Sequence, residues 1–141
     1  MDSVTILVRN ADETSRFELQ KHIQPGLQML ECDPEQLKQV LLNLLMNANQ
    51  AMPHAGIVLL EAQRRGTSVD IDVHDQGCGI DEENLDRIFD PFFTTKGNGT
   101  GLGLSVAHQI VSQHSGTLTI VRNSPQGVTM RVSLPLPPRH I

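Results

Sequence analysis

At 141 residues, with 38% hydrophobic side chains but no Trp, no Tyr and only four Phe, the chain suits one domain with an aliphatic core. A net charge of −5, without a block of like charges, argues against a basic stripe and hence against nucleic acid as a partner. No apolar run has the length to span a bilayer and no signal peptide is evident, while Cys32 and Cys78 lie far apart without a CxxC, so the expected setting is the reducing cytoplasm.

In chain order, Val4 to Val8 reads either as a strand or as the tail of an entering helix. Phe17 to Ile23 alternates apolar and polar side chains, as a strand does, until Gln24-Pro25-Gly26 breaks it. A long helix follows. Asp33 is its expected N-cap, Pro34 suits the first helical position, and Gln36 completes a pattern like a capping box. Leu37, Val40, Leu41, Leu44, Leu45, Ala48 and Met52 share one face, and Pro53 ends the helix at about Met52. Strands over Gly56 to Gln63 and Ser68 to His74 form a hairpin around Arg65-Gly66.

Asp75 to Ile80 is a loop, and a short helix capped by Asp81 is expected over Glu82 to Ile88. Phe89 to Lys96 leads into glycines at 97, 99, 101 and 103, which open onto a helix from Leu102 to about His114, with Gly116 as its expected C-terminal stop. Strands Thr117 to Val121 and Val128 to Leu134 flank a turn at Asn123 to Gly127. Strands clustered as hairpins, with two main helices, predict an α+β fold: a two-layer sandwich with a mixed sheet and helices on one face.

Several residues have both a structural and a chemical reading. Asn43 and Asn47 lie four apart on one polar helical face, which is either solvated or offers amide oxygens to a hard cation beside phosphates. Asp75, ahead of Gly77 and Gly79, is either a turn former or a carboxylate that accepts a hydrogen bond from an exocyclic amine while the glycines admit a flat base. Lys96 is either solvated or the charge partner of a phosphate cradle built from the glycine loop and the helix N-terminus behind it. No GxxxxGK[ST] is present, no strand immediately precedes the alternating glycines, and the six histidines show no metal-pair spacing. Cys78 reads as a small space-filling residue.

Together these stretches resemble the catalytic ATP-binding domain of sensor histidine kinases, within the superfamily of gyrase B, Hsp90 and MutL, over about residues 30–135. Asn43 to Ala48 is similar to the N box, Asp75 to Ile80 to the G1 box, Phe89 to Lys96 to the F box, and Gly99 to Leu104 to the G2 box. Asn47 to Met52 is also reminiscent of nitrogen-regulation-type kinases. The resemblance implies a Bergerat-type fold in which residues 1–30 are a linker and first-strand region, 31–136 the catalytic domain and 137–141 a tail.

It further implies ATP and Mg2+ as cofactors. Asn47 would ligate the metal and Asn43 would support the phosphates. Asp75 would read the adenine amino group, with Gly77, Gly79 and Ile80 lining the base pocket. Phe89, Phe92 and Phe93 would anchor a short lid over Thr94, Thr95 and Gly99, and Lys96 with Thr100, Gly101, Leu102, Gly103 and Leu104 would close on the phosphates. The phosphoacceptor histidine of such kinases sits in a helical dimerisation domain. None of the six histidines here has that context, so the acceptor is expected on a separate domain, with a response regulator downstream. This chain by itself is expected to be monomeric, and its parent protein can be membrane-anchored. An ATPase or a nucleotide-binding regulatory module of the same superfamily is the alternative.

Overall fold

The computed structural model describes residues 18–24, 34–52, 56–90 and 103–136. Its elements are β1 (Glu18–Ile23), α1 (Pro34–Ala51), β2 (Ile57–Arg65), β3 (Ser68–His74), a short 3-10 helix (Glu82–Asn84), α2 (Gly103–Gln113), β4 (Thr117–Ser124) and β5 (Gly127–Pro135). The sheet order is β1-β2-β3-β5-β4. β1 pairs with β2 in parallel, and every other pair is antiparallel. The expected mixed, mostly antiparallel sheet is therefore present, and β1 is hydrogen-bonded into it beside β2. Val4 to Val8, the Asp33 cap, Cys32 and the whole segment from Phe92 to Leu102 lie outside the described residues.

The alternation of side chains explains the two layers. Val58, Leu60 and Ala62 of β2, Val69, Ile71 and Val73 of β3, and Val128, Met130, Val132 and Leu134 of β5 turn toward the helices. There they meet Leu37, Val40, Leu41, Leu44, Leu45 and Ala48 of α1 and Ala107 and Val111 of α2. The apolar stripe read from the sequence for α1 is the stripe that is buried.

The opposite face of the sheet is polar, and its aspartates are paired. Asp72 is only 4% exposed because its cross-strand partner Arg131 holds it in a two-pronged pair, at 2.8 and 2.9 Å. This carboxylate hydrogen bond is the main reason the Arg131 guanidinium pKa is raised above its ordinary value. Asp70 is paired through a single contact with Arg65, at 3.1 Å, and lies 3.7 Å from Arg131.

Three local expectations change. The helix proposed over Glu82 to Ile88 is a 3-10 turn at Glu82–Asn84 that passes into further turns. Bonds from Asn84 N–H to the Asp81 carbonyl and from Arg87 N–H to the Asn84 carbonyl keep the i→i+3 spacing, and Asp81 makes no side-chain cap. Gly116 is not the left-handed stop of α2. Ser115 takes that conformation, at φ 62°, in a Schellman arrangement in which Ser115 N–H reaches Ser112 O and Gly116 N–H reaches Val111 O. Gly116 is small for another reason: a Cβ there would lie 2.4 Å from the Ser133 carbonyl oxygen of β5. Finally, β4 runs on to Ser124 through a register shift between Ile120 and Arg122, leaving a tighter turn than the one expected.

Candidate functional site

The site is assembled where α1, the loop after β3 and the start of α2 converge. On α1, Asn43 is tied at both ends of its amide. Its Oδ1 accepts from Gln39 Nε2 at 2.8 Å, and its Nδ2 donates to the carbonyl of Gly103 at 3.0 Å. Gly103 is the first residue of α2, so the polar face of one helix fastens the N-terminal end of the other. Asn47 is half-buried one turn further along α1. An amide oxygen is a hard neutral donor of the kind Mg2+ accepts beside phosphates and water. Asn43 and Asn47 each offer such an oxygen, and an amide oxygen that already accepts one hydrogen bond keeps a second lone pair, so the residues present fit the metal.

At the end of β3 the backbone leaves the sheet at Asp75, which is 6% exposed. Its Oδ1 accepts from Gly77 N–H at 2.8 Å, an Asx turn, and from Val128 N–H of β5 at 3.1 Å. Its own N–H donates to the Val128 carbonyl at 2.9 Å. Two backbone N–H donors on one oxygen fix the orientation of the carboxylate. The turn reading and the carboxylate reading of Asp75 are thus compatible: the turn is what orients the acid.

The glycines are small because backbone passes close by. A Cβ on Gly77 would lie 2.8 Å from both the Cβ and the carbonyl oxygen of Ala51, at the end of α1. A Cβ on Gly79, at φ +85°, would lie 2.4 Å from the Ser124 carbonyl oxygen. The loop is therefore wedged between the C-terminus of α1 and the β4–β5 turn, and Cys78 N–H donates to the Ala51 carbonyl at 3.4 Å. The Cys78 thiol is exposed, which corrects the expectation that it fills space. Ile80, half-buried against the core, is held by Asn123: its N–H donates to Asn123 Oδ1 at 2.9 Å and its carbonyl accepts from Asn123 Nδ2 at 2.8 Å. Sequence reading missed Asn123. It stood there as part of a turn, and only the tertiary contact reveals its partner.

Below the loop, Ile88 is buried and Phe89 stacks on His108 of α2, with ring centroids 4.9 Å apart and planes at 27°. Phe89 therefore anchors the start of the paired-Phe segment to α2. Leu104 packs against the core. Phe92, Phe93, Thr94, Thr95, Lys96, Gly99, Thr100, Gly101 and Leu102 lie outside the described residues.

Strand pairing also brings together a group that spacing along the chain did not reveal. Glu61, Asp72 and His74 place possible ligand atoms within 4.8 Å of one another. His74 Nε2 is 2.6 Å from Glu61 Oε1 and its Nδ1 is 2.7 Å from Thr129 Oγ1. An ionised Glu61 only accepts, so Nε2 carries a proton. With both Asp72 oxygens on Arg131, the group is a closed polar network on the open face of the sheet.

The model of the histidine kinase-, DNA gyrase B- and HSP90-like ATPase family matches residues 32–138. Sensor histidine kinase ZraS of Escherichia coli (strain K12) is 47% identical over 107 residues, 76% of this chain and 23% of ZraS. Signal transduction histidine-protein kinase AtoS of the same organism is 36% identical over 140 residues, 99% of this chain and 23% of AtoS. The chain thus spans under a quarter of the length of these curated relatives. Among solved structures, the catalytic domain of histidine kinase ThkA is 30% identical with a TM-score of 0.81, covering 96% of each chain. The mycobacterial sensor histidine kinase MprB is 25% identical with a TM-score of 0.83, covering 98% of this chain and 95% of that one.

Proposed function

This chain belongs to the histidine kinase-, DNA gyrase B- and HSP90-like ATPase family as an ATP-binding catalytic domain of the histidine-kinase type, and from that premise we propose how its residues divide the work. Asp75 reads the adenine amino group, Gly77, Gly79 and Ile80 border the base, and Asn47 holds Mg2+ with Asn43 supporting the phosphates. Lys96, Thr100, Gly101 and Leu102 contact the triphosphate together with Gly103 and Leu104 at the start of α2, while Phe89, Phe92 and Phe93 anchor the lid segment of Thr94, Thr95 and Gly99. The γ-phosphate goes to a histidine on a separate dimerisation domain, and from there to a response regulator.

One observation carries this reading: a carboxylate fixed by two backbone N–H groups at the end of β3, beside a helix whose Asn43 fastens the start of α2. The positive end of α2 suits phosphate. Bound Mg2+ would neutralise charge on the phosphates. Phosphoryl transfer has a loose transition state, so the protein's contribution is alignment of donor and acceptor. A hydrolytic ATPase needs a group that activates water. Asn43 is an amide that cannot act as a general base, which favours transfer over hydrolysis.

Calorimetric titration of ATP with and without Mg2+ tests the assignment. Asn47→Ala is expected to lose about tenfold or more of the Mg-dependent part of the affinity, as for a bond to a charged partner. Unchanged Mg-dependent affinity removes Asn47 from the metal.

A further inference from the structure

The turn between β4 and β5 lies some forty residues beyond the loop it touches and belongs to none of the motifs read from the sequence. It nevertheless grips that loop at both ends. At the near end, the Val128 backbone exchanges hydrogen bonds with Asp75, donating to Oδ1 and accepting from the Asp75 N–H. At the far end, the Asn123 side chain pairs with the N–H and the carbonyl of Ile80, as a neighbouring strand would. Asn123 and Val128 are themselves cross-strand partners, so both grips come from one rung of the hairpin. The approach is close: a Cβ on Gly127 would lie 2.1 Å from the Asp75 carbonyl oxygen, as one on Gly79 would crowd Ser124.

We propose that Asn123 is a positioning residue for nucleotide-base recognition, setting the path of the loop from Asp75 to Ile80 and thereby the place of the Asp75 carboxylate. The proposal rests on the reading of Asp75 as the adenine contact. The side chain needs one donor and one acceptor at its tip, which an amide has. Aspartate of the same shape has two acceptors and would set an oxygen against the Ile80 carbonyl. Serine is too short to span both groups. A displaced loop weakens discrimination between bases, because selection depends on the carboxylate meeting an amino group at hydrogen-bond distance.

The experiment compares ADP and GDP affinities for the unmodified chain, Asn123→Asp and Asp75→Asn. Asn123→Asp is expected to weaken ADP about tenfold and to lower the ADP:GDP preference by a similar factor. If Asp75→Asn loses the preference while Asn123→Asp keeps it within about twofold, the proposal fails and the reading of Asp75 stands. If Asp75→Asn keeps the preference, the reading of Asp75 fails, and the proposal with it. Equal weakening of ADP and GDP in Asn123→Asp also overturns the proposal, because it marks general damage to the fold. Should Asn123→Asp not fold, Asn123→Ser is read by the same ratio. In the unmodified chain the Ile80 amide is expected to exchange slowly with solvent, and rapid exchange counts against the pairing.

Discussion

Replacing Gly79 by alanine is expected to damage both stability and nucleotide binding, and Gly66 supplies the control. Both glycines have positive φ, +85° at Gly79 and +61° at Gly66. Holding an L-residue in that region costs about 1–2 kcal/mol. At Gly66 a Cβ meets nothing within 4 Å, so Gly66→Ala carries that conformational cost alone. At Gly79 the new methyl lies 2.4 Å from the Ser124 carbonyl oxygen and 3.0 Å from its carbon, so backbone must move. Forcing extra volume into a packed site adds about 1–3 kcal/mol. Gly79→Ala should therefore lose about 2–5 kcal/mol in urea unfolding, clearly more than Gly66→Ala. Relief by shifting the loop would stretch the Asn123–Ile80 pair, so ADP affinity should fall in Gly79→Ala and stay unchanged in Gly66→Ala. Equal stability losses in the two variants would refute the packing argument. Unchanged ADP affinity in Gly79→Ala would refute the link between this loop and the nucleotide.

Three further outcomes follow from the packing. Ser115→Gly should stabilise the protein by about 0.5–1 kcal/mol in urea melts, because glycine removes the penalty of the left-handed C′ position; a destabilised variant would contradict the observed α2 terminus. Leu44→Ala removes a side chain that is 1% exposed in the middle of the α1 stripe and should cost about 3–5 kcal/mol, and a loss under about 1 kcal/mol would mean that α1 is not packed on the sheet. Arg131→Met strips the cover from Asp72 while leaving the carboxylate buried. Because Arg131 is itself partly exposed, a loss of about 1–3 kcal/mol is expected, short of a fully buried pair. Little or no loss would show that Asp72 is satisfied by other groups.

Much of this fold was legible because periodicity and breakers agree. The 3.6-residue stripe from Leu37 to Met52, closed by Pro53, marked α1, and the alternation Val69-Asp70-Ile71-Asp72-Val73 marked β3. Of the site, Asp75 and Asn43 stood out because glycines beside an acid and asparagines within a helix break local preference. What stayed hidden was set by contacts between distant segments. Spacing could not show that Asn123 would pair with Ile80, or that Asp72 would meet Arg131 across β3 and β5. It also could not separate the two reasons for a glycine. Gly116 reads as the helix stop, whereas its size answers to the nearness of Ser133 and the left-handed residue is Ser115. The 3-10 turn at Glu82–Asn84 was read as a longer helix because its carboxylate-rich start looks the same in either form.

We propose that this chain delivers a phosphoryl group to a histidine on another domain. The most direct test supplies γ-labelled ATP with Mg2+, this chain, and the histidine-bearing dimerisation domain of the parent protein as a separate polypeptide, with the chain alone as control. Acid-labile label on the supplied domain and none on the control is the predicted result. Label released as free phosphate, with a folded acceptor left unlabelled and ATP binding intact, would contradict it and make the protein an ATPase.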